Sequence, residues 1–475
     1  MAGVHSGLDK RLLGAGRVSS KHKVVAAILA GAAVVLGGGG SPAPIPEIIL
    51  QCLSALALAA WLVLPKAEAP IFPVDRRIWM IALMVVILPL VQLVPLPPVL
   101  WHAMNGREVE RAALALVGAD NSWQPWTMLP VRTFTSILAI LPALVMMLMA
   151  ASLPRGGRAL LVAVIASMAF MSLIVGAGQM AGGQGNAFRF YEADLGFLNG
   201  FQANHNSAAD MLLIAMVGIA VTAREYAEYR SRTRLTPVWR LGLVAASCLL
   251  LSIGVFLTAS RMGVVLLPVA LLGVLWTVWP LLKFNRNWIA GLGIAALVIV
   301  VGVVWFAAHN NVIGRVLGRF DFANEYRRDI WRDTRYAIGQ YFPWGTGMGS
   351  FVPVFQGAER LEAVGQTIPN RAHNDFLELL LEGGVFAAML LSAIVWTIGQ
   401  AARKAVSKAP AGSRGQVIFA ITTLAVIALH SQVDYPLRSM SLAFIAAICV
   451  ALLMPLPGAS FGNRADGEEL RGNDV

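Results

Sequence analysis

Charge is scarce in this chain: Asp, Glu, Lys and Arg make up 13% of the 475 residues, about half their share of an ordinary soluble domain. With 57% hydrophobic residues and a mean hydropathy of +0.68, that shortage excludes a water-soluble globular protein and leaves an integral membrane protein. Cysteine is scarcer still. Cys52, Cys248 and Cys449 lie far apart inside apolar runs, which excludes a disulfide framework and gives no sign of thiol chemistry. No P-loop occurs anywhere, and no DxD-like pair stands in a loop between apolar runs on the outer side. Neither an ATPase nor a metal-dependent nucleotide-sugar transferase is therefore supported, and no cofactor is expected.

What is present is a succession of apolar runs of spanning length. Twelve are read, at 24–40, 46–64, 78–95, 132–151, 159–178, 205–221, 240–258, 262–282, 288–308, 375–399, 416–433 and 439–455. The fold class is accordingly an all-α polytopic membrane protein of about twelve transmembrane helices, with one large outer loop between spans nine and ten. The parts are an inner N-terminus at 1–23, spans one to nine over 24–308, the outer loop at 309–374, spans ten to twelve over 375–455 and an inner tail at 456–475. The basic start leads into an apolar run with no small-residue cleavage site, which predicts a retained first span rather than a signal peptide. Trp61, Trp79, Trp276, Trp305 and Trp396 border apolar runs and suit an interfacial belt.

With both termini inside, 23 of the 37 Lys and Arg residues fall in inner loops, as the positive-inside bias requires. That bias explains most of the net charge of +11 without a nucleic-acid partner. Every lysine is on the inner side, whereas all 14 outer cations are arginine. Arginine offers a planar fork of donors matched to phosphate oxygens, so the asymmetry points to a phosphorylated or polyanionic substrate outside. A codon preference for arginine would leave the same mark.

In the 309–374 segment, "NEYRRDIWRDTRYAIGQY" sets Tyr326, Ile330, Trp331, Thr334 and Ile338 along one stripe, with Arg327, Arg328, Arg332, Asp329 and Asp333 around the rest. That pattern predicts an amphipathic helix on the outer surface or over the spans. "FPWGTGMGSF" then breaks it. Without a preceding strand or a following Lys-Ser/Thr, it reads as a structural turn rather than a phosphate cradle.

Few residues carry chemistry. Ser260 and Arg261 stand in a very short outer connection, where an arginine at the mouth of a bundle marks a functional position unless it snorkels or pairs with a carboxylate. Ahead of span six, Arg189, Asn199, Gln202, Asn204 and His205 suit sugar hydroxyls, or equally an interfacial anchor. Asp210, within that span, should face the interior. In "RAHNDFLELLLEGG", Asn374 is a natural N-cap, and Glu378 and Glu382 recur on one face of an apolar helix, which predicts a hydrated cavity. His373 at its mouth suits general-base work near neutral pH, or else caps the helix. In "HSQVDYPLRSM", Asp434 and Arg438 are expected to pair.

The order "SRMG", "RRDIWRDTRYAIGQYFPWGTGMGSF" and "HNDFLELLLEGG" over roughly residues 185 to 440 resembles the O-antigen ligase and polymerase superfamily of bacterial envelope glycan transferases. The resemblance implies a multi-pass protein of the inner membrane whose active site faces the periplasm. It implies an undecaprenyl-diphosphate-linked glycan donor, and lipid A core or a second lipid-linked glycan as acceptor, without metal or nucleotide. Arg261 and Arg189 would engage the diphosphate, and His373 would activate the acceptor hydroxyl. Arg327, Arg328, Arg335, Asn374 and Glu378 are expected on the substrate-binding side. The long outer loop and the "VDYPLR" turn depart toward exopolysaccharide systems, so ligase and repeat-unit polymerase both stay open. A secondary transporter or lipid-glycan flippase is the rival class. The largest loop, placed after span nine rather than six, and the lack of a repeat between the halves speak against it.

Overall fold

The computed structural model describes residues 19–39, 44–64, 75–182, 190–191, 196–229, 237–282, 326–366 and 368–457. Its helices are α1 Ser20–Leu36, α2 Pro44–Val63, α3 Arg76–Gln92, α4 Pro98–Trp101, α5 Glu108–Ala115, α6 Pro130–Ser152, α7 Arg155–Ala181, α8 His205–Tyr229, α9 Pro237–Leu257 and α10 Arg261–Val278. After the undescribed stretch come α11 Tyr326–Tyr341, α12 Phe351–Ala358, α13 Asp375–Lys408, α14 Arg414–His430 and α15 Met440–Leu452.

Among the described residues, eight helices are long and apolar enough to cross a membrane, namely α2, α6 to α10, α13 and α14. The runs expected at 24–40, 78–95 and 439–455 are helical, but their helices have 17, 17 and 13 residues. The two 17-residue helices stand at the lower edge of the spanning range and the 13-residue helix falls below it. The run at 288–308 lies outside the described residues.

The centre of the bundle is α8, the most deeply buried of the eight. Helices α7, α9, α10 and α14 pack around it. Close approach depends on small residues. A Cβ at Gly218 would lie 2.8 Å from the Ala166 Cβ, and one at Gly263 would lie 2.5 Å from the Ala209 Cβ.

Over one end sits a polar cap with its own core, in which Ile330 and Ala337 of α11 meet Phe351 and Phe355 of α12, Ala372 and Leu381. The amphipathic helix expected from the Ile330 stripe is thus present. Asp333, expected on its polar surface, is instead buried and accepts from Arg360 Nε at 2.6 Å.

The sequence predicts one large outer loop, at 309–374. A second folded segment stands beside it, between α3 and α6. Residues 93–129 carry α4, α5 and a two-stranded antiparallel ladder pairing Pro95 with Pro125 and Leu96 with Gln124. It grips the turn after α11: Asn105 Nδ2 donates to the Phe342 carbonyl at 2.7 Å, and Met128 N to the Thr346 carbonyl at 3.0 Å.

The 34-residue α13 is broken at Gly384, whose φ of 57° and ψ of −148° are not helical. The Val385 amide there turns to the Pro343 carbonyl at 2.9 Å. A Cβ on Gly384 would lie 2.0 Å from that same carbonyl oxygen, so the position demands glycine.

Candidate active site

The capped end gathers its polar groups where α13 begins. Asn374 is the N-cap, its Oδ1 accepting from the amides of Phe376 and Leu377 at 3.0 Å each. Its Nδ2 donates to the Gln432 carbonyl at 2.7 Å, so the side chain ties α13 to the turn after α14. Ahead of the cap, His373 adopts a φ of +48°, a left-handed conformation that costs energy for a side-chain-bearing residue and clusters at functional sites. The Trp331 indole N–H holds this turn from α11, donating to the Ala372 carbonyl at 3.0 Å and lying 3.3 Å from that of His373.

The His373 ring lies with Nδ1 2.9 Å from Asp434 Oδ1. Its face tilts against Tyr435 with ring centroids 5.0 Å apart. The second Asp434 oxygen accepts from Asn204 Nδ2 at 3.2 Å. Burial pushes the Asp434 carboxyl up, but the hydrogen bond and charge of His373, followed by the Arg327 charge, outweigh it and hold the group well below the usual carboxylate range. A carboxylate accepting from Nδ1–H fixes the tautomer that leaves Nε2 with its lone pair. This is the arrangement of an oriented general base.

Beneath this dyad is an ion cluster. Arg438 Nη2 lies 3.0 Å from Glu382 and 3.2 Å from Glu378, and its Nε lies 3.8 Å from Asp375. Arg371 Nη1 donates to Glu378 Oε1 at 2.9 Å, and the Ala372 amide to Glu378 Oε2 at 3.0 Å. Burial alone would lower the Arg438 pKa, but the charges of Glu378, Glu382 and Asp375 raise it far above its ordinary value. Among the described residues this ion cluster, rather than the expected hydrated cavity, stands beside Glu378 and Glu382. Both carboxylates are 0% exposed and are held by arginines and amides, so Glu378, expected on the substrate-binding side, is buried within this cluster. The expected Asp434–Arg438 pair is also corrected, since each has a different partner. The glycine turn is structural, as its sequence suggested. Its Gly347 and Phe351 amides donate to the Glu382 carbonyl at 2.8 Å and to Glu382 Oε1 at 3.2 Å.

Residues 246–392 match the family model described as O-antigen ligase. This stretch is similar to the O-antigen ligase family. It opens inside α9, takes in α10 to α12 and ends in α13, just past the break at Gly384. The match supports a membrane glycosyltransferase of the ligase and polymerase type. No curated protein matches the chain.

Within the matched stretch, Arg261 is half-buried at the first position of α10, which follows α9 after a connection of three residues. Ser260 caps that helix, its Oγ accepting from Gly263 N at 3.1 Å. Gly263 packs on Ala209, and the next residue, Asp210, meets His430 Nδ1 at 2.6 Å. That places Arg261 at the same end of the bundle as His430 and the Asp434 turn. Asp210 faces the interior, 0% exposed, as expected. Arg327 is half-buried, one turn before Trp331, with its charge acting on Asp434. Arg328 and Arg335 are exposed on the same helix. Arg189 lies outside the described residues.

Sequence reasoning missed two roles: Asp434 as the His373 partner and Asn204 as its second anchor. The signal was the recurrence of His and Asp in "HND" and "HSQVD", two segments at one end of adjacent spans.

Proposed function

We propose that the protein is an O-antigen ligase-like glycosyltransferase that moves a glycan from undecaprenyl diphosphate to an acceptor hydroxyl on the periplasmic face of the inner membrane. The observation that carries this reading is the His373–Asp434 dyad, half-exposed at the capped end, with Nδ1 committed at 2.9 Å. His373 Nε2 takes the acceptor hydroxyl proton, and the oxygen attacks the anomeric carbon. The bond from that carbon to the diphosphate oxygen breaks, and its electron pair leaves with undecaprenyl diphosphate. Asp434 stabilises the imidazolium so formed. Arg261, with Arg327 beside the dyad, stabilises the charge developing on the departing diphosphate, a task of electrostatic preorganisation. A single displacement of this kind inverts the anomeric centre. Fixed in this way, the base contributes roughly 10²–10⁴-fold.

The test is transfer by purified protein given a lipid-diphosphate-linked glycan and an acceptor. The wild type should yield covalently extended acceptor, and His373→Ala should yield none while inserting and purifying normally. Near-normal transfer by His373→Ala removes the general-base role. A glycan that is moved but left covalently unchanged by the wild type would indicate a transporter instead. Deleting the gene in its host separates ligation from polymerisation. Long lipid-linked chains accumulate if ligation is lost, whereas single lipid-linked repeats without polymer would assign the polymerase.

A further inference from the structure

The end of the bundle opposite His373 holds a cavity of about 180 Å³, bounded by the end of α13, the start of α14 and the residues after α15. Arg77, Arg158, Lys404, Lys408, Ser413 and Gln416 supply its polar lining, and Val417 and Leu453 are among its apolar walls. Arg158 is 1% exposed. Four of its five N–H groups are spent on carbonyls at helix ends: Nε on Leu153 at 3.2 Å, Nη1 on Met454 at 2.7 Å, and Nη2 on Ala151 at 2.9 Å and Pro455 at 3.1 Å. These bonds explain why an arginine stands here. They leave one Nη1 hydrogen and the whole positive charge without an acceptor or a carboxylate among the described residues.

Ser413 adds an independent observation. It is 7% exposed and precedes α14, and its Oγ has no hydrogen-bond partner among the described residues. Buried hydroxyls are almost always satisfied. Two acids touch the lining: Asp75 is forked by Arg77 and also feels the charge of Lys404, and Glu225 accepts from Gln416 Nε2 at 3.3 Å through Oε2 while its Oε1 has no hydrogen-bond partner among the described residues. An unpaired guanidinium N–H, an orphaned hydroxyl at a helix start and two lysines make an arrangement for an oxyanion. The apolar walls suit the first carbons of an acyl chain, and basic pockets between spans on the inner side take anionic headgroups.

We propose that this cavity binds a phosphate group, carried by an anionic phospholipid of the inner leaflet. The test uses the full-length protein, purified and delipidated in detergent, with thermal unfolding followed during titration. The probes are short-chain phosphatidylglycerol, short-chain phosphatidylcholine and inorganic phosphate. Phosphatidylglycerol should raise the Tm saturably, and phosphatidylcholine should do so far less. Lys408→Gln should weaken half-saturation about fivefold, and the double variant Lys404→Gln/Lys408→Gln about 25-fold, from roughly one lysine's surface contribution each. Ser413→Ala should keep the unliganded Tm, because it removes an unpartnered hydroxyl, and should also weaken half-saturation. A full response to inorganic phosphate alone keeps the phosphate site and assigns the free ion. Equal responses to the two lipids, or wild-type half-saturation in all three variants, overturn the proposal.

Discussion

Replacing Asp434 by asparagine changes one atom in the buried partner of His373 and sets two neighbours against each other. In the wild type the carboxylate accepts twice, from His373 Nδ1 at 2.9 Å and from Asn204 Nδ2 at 3.2 Å. Asn204 cannot readily reverse its amide, because its Oδ1 already accepts from Asn206 N at 2.8 Å. Asparagine at 434 therefore has two poor choices. If its oxygen faces His373, its NH2 meets the Asn204 NH2, leaving a buried donor unsatisfied at about 1–3 kcal/mol. If its NH2 faces His373, Nδ1 must become the acceptor. The proton then sits on Nε2, where the base is needed. Either choice also deletes the charge that would stabilise imidazolium. The expected loss is on the order of 10²–10⁴-fold in transfer rate, or roughly 3–5 kcal/mol of barrier.

The assay is single-turnover transfer from lipid-linked glycan, normalised to folded protein by gel filtration in detergent. A double variant with His373→Ala should be no worse than His373→Ala alone, since the two groups act as a unit. Transfer by Asp434→Asn within threefold of wild type, or an additive double variant, would refute the dyad. pH supplies a second handle. Because the folded Asp434 pKa is depressed, its contribution to stability is fully present above the ordinary carboxylate value near 4 and is lost only as pH falls through the folded value. Wild-type stability should therefore hold through mildly acidic pH and drop in strong acid, and Asp434→Asn should flatten that drop.

Three further outcomes follow from the same geometry. Arg438→Met leaves Glu378 and Glu382 buried without their shared cation, so the Tm in detergent should fall by an amount corresponding to about 3–5 kcal/mol; an unchanged Tm would show the cluster to be idle. Gly384→Ala places a Cβ 2.0 Å from the Pro343 oxygen in a conformation nearly closed to other residues, and should abolish recovery of folded protein, whereas normal recovery would mean that the break in α13 is dispensable. Arg261→Lys keeps the charge but loses the fork, so transfer should drop at least about tenfold with folding intact; full activity would reduce Arg261 to a point charge.

What was legible in the sequence was local. Asn374 announced its helix because capping is a relation between residues two or three apart. The Ile330 stripe announced α11 because a helical face repeats within one segment. The errors were all long-range. Glu378 and Glu382 looked like the wall of a wet cavity because their shared counter-ion, Arg438, is supplied 56 residues on from Glu382, beyond a further span. Asp434 and Arg438 looked like partners because they stand four apart, which is a contact only on a helix. Asp434 precedes and Arg438 ends a short 3-10 turn at Pro436–Arg438, and it delivers them to different neighbours. The folded segment at 93–129 was missed for a related reason: its short helices and two-residue strands carry little periodicity, and it is ordered by docking onto residues more than 200 positions away.

The order of motifs that suggested the family has a physical basis in the break at Gly384. An unbroken α13 would aim His373 by the tilt of a span, which shifts with the bilayer. The break separates residues 375–383 from the rest of the helix, and the glycine turn after α11 takes over as their support. Its amides bind the Glu382 carbonyl and carboxylate, and its Pro343 carbonyl takes the Val385 amide. Gly347 must be glycine for this docking, since with φ at +105° a Cβ would lie 1.9 Å from Thr127 Oγ1. "PWGTGMGSF" supplies amide donors and "ELLLEGG" supplies carbonyl and carboxylate acceptors, so neither stretch satisfies its backbone alone. The dyad thus stands on a platform built from two loops and the first turns of a helix. Under the proposed function, a base that must meet a sugar hydroxyl within hydrogen-bond reach, while a lipid-borne substrate diffuses in from the side, needs that kind of support.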